Sequence, residues 1–173
     1  MAGVRFSHGN RLFMIEAAVF CMALAVYHEA RGEPADGQIM VAQVALKRAN
    51  GNANQVCKEV FRPKQFSWAN EKVVKTRAGW ALHESLRPTD RNAWAQAQRV
   101  ARYVLQQGKQ GTATHFRRAG EKPKWAAQCL QPVGQIGRHV FTGRCGMAHP
   151  SRFLERRRPT KPVVRRSRSR SAD

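Results

Sequence analysis

The strongest constraint on this fold is a run of apolar residues from Leu12 to Val26, interrupted by one acid, Glu16. Ile15, Ala18, Val19, Met22, Ala25 and Val26 recur at a helical period, which predicts a helix with one core-directed face. The run leads into VYHEARGEP, residues 26–34, where Gly32 is expected to stop the helix and Pro34 to open the next element. As a membrane span the stretch is short, since roughly 20 apolar residues are needed. Arg5 and Arg11 ahead of it, with Ala23-Leu24-Ala25 near its end, imitate a secretory signal. Glu16 breaks that pattern, and cleavage after Ala25 would remove the helix leading to Glu29. A buried helix is the expectation.

A second helix is expected over 34–49, with Met40, Val41, Val44 and Ala45 on one face and Asn50-Gly51 as its stop. A third is expected over 91–107, with Trp94, Ala97, Ala101, Val104 and Leu105 inward and Gly108 closing it. Residues 52–72, which carry Gln65-Phe66-Ser67-Trp68, read as loops with a short hairpin. Two short β-like pieces, 113–116 and 138–141, flank a Pro- and Trp-bearing loop. The fold class is therefore α+β, predominantly helical. A basic leader occupies 1–11, one domain spans 12–147, and 148–173 is a basic tail expected to be disordered.

Charge narrows the partners. The chain has 31 Lys and Arg against 11 Asp and Glu, a net +20, and eight of those bases lie in 156–173. A field of that sign draws polyanions: nucleic acid, an anionic membrane surface, wall polymer or lipopolysaccharide. Cys21 sits in the apolar run and reads as a buried thiol, while a disulfide could join any two of Cys57, Cys129 and Cys145. Cys129, His139, Cys145 and His149 match no familiar zinc spacing, so neither metal nor cofactor is expected.

Glu29 continues the row Met22, Ala25/Val26 at the C-terminal end of the first helix. Burial and the negative end of the helix both favour its neutral acid, which is what a general acid requires. Arg31 would oppose that shift if it paired with Glu29, so Glu33 is its expected partner. The same spacing also fits a solvated helix end balanced by Arg31.

The segment 26–50, VYHEARGEPADGQIMVAQVALKRAN, resembles the signature of SleB-type (spore cortex-lytic) cell wall hydrolases. That pattern runs from an apolar helix through E-A-R-G-E-P to G-Q-x-x-V-A-x-V-x-x-N-R. Cys57 with Gln65-Phe66-Ser67-Trp68 resembles the central segment of the family. Ala113-Thr114-His115-Phe116, Trp125 and Ile136-Gly137-Arg138-His139-Val140-Phe141 resemble the closing one. Two departures stand out: Lys47-Arg48 replaces Asn-Arg, and Arg117-Arg118 follows His115-Phe116 where polar or aromatic residues are usual.

The resemblance implies a lysozyme-like domain that cleaves the β-1,4 bond between N-acetylmuramic acid and N-acetylglucosamine by lytic transglycosylation, with Glu29 catalytic. Gln65, Ser67, His115 and Trp125 become candidates for the sugar groove, and Arg31, Gly32, Glu33 and Pro34 for structural support around the site. One carboxyl suffices for that reaction, whereas ordinary glycoside hydrolysis uses two about 5–9.5 Å apart. A distant acid folding in would leave hydrolysis open. The expected partners are bacterial peptidoglycan and, through the tail, an anionic envelope surface. No specific nucleic acid is expected, and the chain is expected to act as a monomer. A wall enzyme with such a tail is similar to a phage endolysin, made in a host cytoplasm and acting in the periplasm or on the wall. The rival readings are a basic nucleic-acid binder, whose affinity would fall steeply with salt, and an amidase or hydrolase on the same wall substrate.

Overall fold

The computed structural model describes residues 8–77, 79–124 and 130–144, with side chains from residue 15 onward. The expected tail, Trp125, Cys129, Cys145 and His149 lie outside the described residues.

Helix α1 (His8–Ala30) is the axis of the fold. Helices α2 (Ala35–Arg48), α3 (Ala53–Val60) and α4 (Arg91–Gln107) all pack against it. Every residue from Cys21 to Tyr27 is buried, so α1 is apolar all round where its neighbours enclose it. The expected single stripe is thus too narrow at the centre of the helix. It is too generous at the start, because Ile15 is 41% exposed. Burying a side chain such as Leu24 or Met22 contributes about 2 kcal/mol. No helix among the described residues is long and apolar enough to cross a membrane.

Helix α2 begins at the expected proline, with Pro34 as its N-cap. Asn50 and Gly51, with φ of 55° and 79°, take the left-handed turn that ends it. Helix α4 lies where the period placed it, between Asp90, whose side chain accepts from Asn92 N and Ala93 N at 3.0 Å each, and Gly108 at φ 71°. The Tyr27 hydroxyl ties α1 to that cap by accepting from Thr89 N and Asp90 N at 3.1 Å each.

Three expectations fail. Residues 53–60 form α3 rather than loop: Asn52 Oδ1 caps it by accepting from Asn54 N, and Val56 and Val60 bury its inner face. The hairpin falls later, as β1 (Val73–Thr76) paired with β2 (Gly79–Leu82). Cys21 is not a free thiol, for it bonds to Cys57 and joins α1 to α3.

The second sheet has antiparallel order β3-β5-β4, with β3 (His115–Arg118), β4 (Leu130–Ile136) and β5 (His139–Arg144). Part of the presumed loop is therefore strand. Pro132 and Gly134 disguise β4, but it is an edge strand, where proline costs no ladder bond, and its register shifts between those two residues. Phe141 on β5 packs with Val41 and Val44 of α2, seating the sheet beside the helices.

Candidate active site

Between α1 and the second sheet lies a cleft of about 820 Å³. Tyr27 is buried against α4. Glu29 lies about 200° further round the helix, which turns its carboxyl into the cleft. Trp68 and Phe66 form one wall. His28 stacks on Trp68 with ring centres 4.6 Å apart, and the ring centre of Phe66 lies 5.8 Å from that of Trp68. His28 Nε2 lies 3.1 Å from the Leu86 carbonyl, which fixes the stack from behind.

Burial raises the pKa of Glu29 above the ordinary carboxyl value of 4.5. Arg118, the Trp68 indole N–H and Arg48 oppose the rise, and Glu121 adds to it. Burial wins because no cation forms an ion pair with Glu29 among the described residues. The Trp68 N–H is buried without a well-formed hydrogen bond among the described residues, near enough to the carboxyl to favour its anion.

Glu33 is disposed otherwise. Its side chain is only 2% exposed and accepts from Arg138 N and Nε, each at 2.8 Å. Burial alone would raise its pKa, but those two hydrogen bonds outweigh burial and leave it lowered. The expected Arg31–Glu33 pair is therefore replaced: Arg31 lies over the Tyr27 ring, 5.1 Å from its centre. Gly32 follows the expected end of α1 at Ala30. Its backbone is not left-handed, and a side chain there would come 3.0 Å from the Arg138 guanidinium. Gly137, at φ 56°, faces Glu33 so closely that a Cβ would collide with the carboxylate. Arg31, Gly32, Glu33 and Pro34 thus form the joint between α1, α2 and the β4–β5 turn.

Of the groove candidates, Gln65, Ser67 and His115 all line the cleft with Glu29, and Trp125 lies outside the described residues. Gln65 accepts from Arg62, Ser67 is exposed, and His115 Nδ1 is 2.9 Å from Thr114 Oγ1. Burial, then Arg48 and Arg144, lower the pKa of His115, which favours its neutral form in the cleft. Phe66 belongs to the core at 4% exposure.

Several cleft residues had not been singled out as groove candidates. Arg48 donates from Nε to the Thr114 carbonyl at 2.8 Å, and burial with Arg62 nearby pushes its pKa down to about 10. His139 is buried beside Phe116 and Phe141, with Nδ1 unpartnered among the described residues. Glu121 enters the cleft from the turn after β3, where its carboxylate accepts from Arg118 N at 3.3 Å. A distant acid has therefore folded in. Trp68 had a signal in its Gln-Phe-Ser-Trp cluster; Glu121, a lone acid in a polar turn, had none.

Residues 32–142 match the family profile described as Cell Wall Hydrolase. That match begins three residues past Glu29, so the placing of Glu29 rests on geometry. No curated protein matches the chain. Among solved structures it is similar to the catalytic domain of the Bacillus cereus SleB protein, at 25% identity and TM-score 0.48, over 73% of this chain and 90% of that one. It is also similar to the catalytic domain of the germination-specific lytic transglycosylase SleB from Bacillus anthracis, at 22% identity and TM-score 0.47, over 82% and 99%.

Proposed function

The chain belongs to the cell wall hydrolase family, and we propose that it cuts peptidoglycan glycan strands as a lytic transglycosylase with Glu29 as its acid and base. The observation that carries this is one carboxyl, desolvated and without an ion pair among the described residues, facing a cleft large enough for sugar rings. Protonated Glu29 gives its proton to the glycosidic oxygen as the bond to the muramoyl anomeric carbon breaks. The resulting carboxylate takes the proton of the same sugar's C6 hydroxyl, whose oxygen attacks that carbon. A 1,6-anhydro ring closes, and Glu29 ends protonated, ready for another cut. Trp68 offers an apolar face for a pyranose ring, and Gln65, Ser67 and His115 offer hydrogen bonds to hydroxyl and acetamido groups.

Glu121 favours a second reading, hydrolysis with a carboxylate-activated water. It is exposed and engaged with the Arg118 backbone, so it supports this less well than Glu29 supports the first. Chromatography of sacculus digests separates the two: anhydromuropeptides support transglycosylation, reducing muramoyl ends support hydrolysis, and freed stem peptides alone support neither.

The same reading assigns the polybasic segment 156–173 to anionic envelope polymer, where it would raise the local enzyme concentration, as suits a phage lysis enzyme.

A further inference from the structure

The N-acetylated glycan backbone is neutral, yet this cleft is strongly cationic. Eight Lys and Arg side chains line it against two carboxyls, Glu29 and Glu121. Lys47, Lys64, Lys109, Arg117, Arg118 and Arg144 have no carboxylate within ion-pair reach among the described residues. Lys47 donates to the Gly111 carbonyl, and Arg117 to the Arg118 and Glu121 carbonyls, so both are held without being neutralised. The cations also crowd one another. Burial and then Lys109 lower the pKa of Lys47, and Arg62 and Arg144 add to the lowering at Arg48. A bound anion would relieve that repulsion.

Both departures from the E-A-R-G-E-P family pattern point the same way. Lys47, in place of Asn, and Arg117-Arg118, in place of polar or aromatic residues, all face the cleft. Arg118 and Arg48 are also close enough to act on the Glu29 carboxyl. These departures place positive charge in the same cleft as Glu29.

Building on the proposed glycan cleavage, we propose that the cleft selects strands whose muramoyl groups carry acidic stem peptides, and that Lys47, Arg117 and their cationic neighbours pair with the stem carboxylates. Two sources of carboxylate exist on such a strand: the stem itself, and the lactyl carboxylate exposed once an amidase removes the stem. The stem offers more negative charge and reaches further from the sugar, matching cations spread from Lys64 and Lys109 to Arg144.

The test measures kcat and KM for wild type and for the Lys47→Asn/Arg117→Gln double variant. Substrates are soluble peptide-bearing strands and the same strands stripped by an amidase. Should the double variant fail to fold, Lys64→Gln/Lys109→Gln, at two exposed side chains, takes its place. The inference expects the wild-type KM to be about fivefold lower on peptide-bearing strands. It expects either variant to raise that KM by a similar factor with kcat within about twofold, and the advantage to shrink as salt rises from about 0.05 to about 0.3 M. Equal KM on both substrates overturns it. So does a variant effect of the same size on stripped strands, which would assign the cations to the lactyl carboxylate, and so does a DNA duplex that competes more strongly than the stems. Wild type that cuts neither substrate refutes the glycan-cleaving reading itself, and this inference with it.

Discussion

Glu33 grips Arg138 twice, through its backbone N–H and its Nε–H, while Glu29, one helical turn earlier, faces the cleft with no such partner among the described residues. Two glutamates four residues apart at one helix end thus have opposite electrostatic fates. Arg138 neutralises Glu33 and welds the β4–β5 turn to the α1–α2 joint. Glu29 keeps its affinity for a proton.

The weld is expected to be structural. Glu33→Ala would orphan the Arg138 N–H and lose a charged hydrogen bond, costing about 2 kcal/mol. The Arg138 side chain is 68% exposed, so water screens its share and the backbone bond should dominate. Gly137→Ala should destabilise too, because a methyl there meets the Glu33 carboxylate. Chemical denaturation checks both. Since the pKa of Glu33 is lowered by folding, its contribution is present above its unfolded pKa and lost as pH falls through the folded one. Wild type should therefore lose stability on the acid side, and Glu33→Gln should flatten that limb.

Activity should titrate with Glu29. Its raised pKa means that the protonated acid persists above the ordinary carboxyl value of 4.5, and kcat/KM should fall as pH rises through the shifted value. Trp68→Phe keeps the stacking face but removes an N–H that favours the anion. The falling limb should move to higher pH in that variant. A pH–rate profile on solubilised strands reads the shift, and no displacement would argue against the contact.

The Cys21–Cys57 bond closes a loop with a sequence separation of 36, which in the chain-entropy account is worth about 4 kcal/mol. Reduction should lower Tm by roughly 8–16 °C. Cys21→Ala should reproduce the drop without added reductant, because the other half of the crosslink, Cys57, is then left without its partner. Differential scanning calorimetry with and without reductant checks it.

Much of this arrangement was legible in the chain. Helix α4 was clear because its apolar residues recur in register between Asp90 and Gly108. Helix α1 was clear from its apolar run, and Glu29 followed from extending that row. Helix α3 was hidden, since eight residues with only Val56 and Val60 buried carry too little period to read. Strand β4 was hidden by Pro132 and Gly134, tolerated only because the strand is at an edge. The Glu33–Arg138 pair spans 105 positions, and local spacing favoured Arg31 instead. Glu121 reached the cleft through a turn that no pattern in the sequence specifies.

Glu121→Gln tests the two-carboxylate alternative. Transglycosylation by Glu29 alone predicts that anhydromuropeptides persist with kcat within about tenfold of wild type, a modest electrostatic change against the 10²–10⁴-fold typical of a lost general acid or base. Loss of all turnover, with reducing ends as the wild-type product, would shift the chemistry to hydrolysis.

The most direct test of the account is Glu29→Gln assayed on isolated sacculi beside wild type, with thermal unfolding of both at neutral pH. A group whose pKa is raised in the folded state stabilises it below the unfolded pKa and loses that benefit as pH rises, so a neutral Gln should leave the fold at least as stable at pH 7. The account predicts an equal or higher Tm together with loss of essentially all turnover; a folded Glu29→Gln protein that still clears sacculi at the wild-type rate would contradict it.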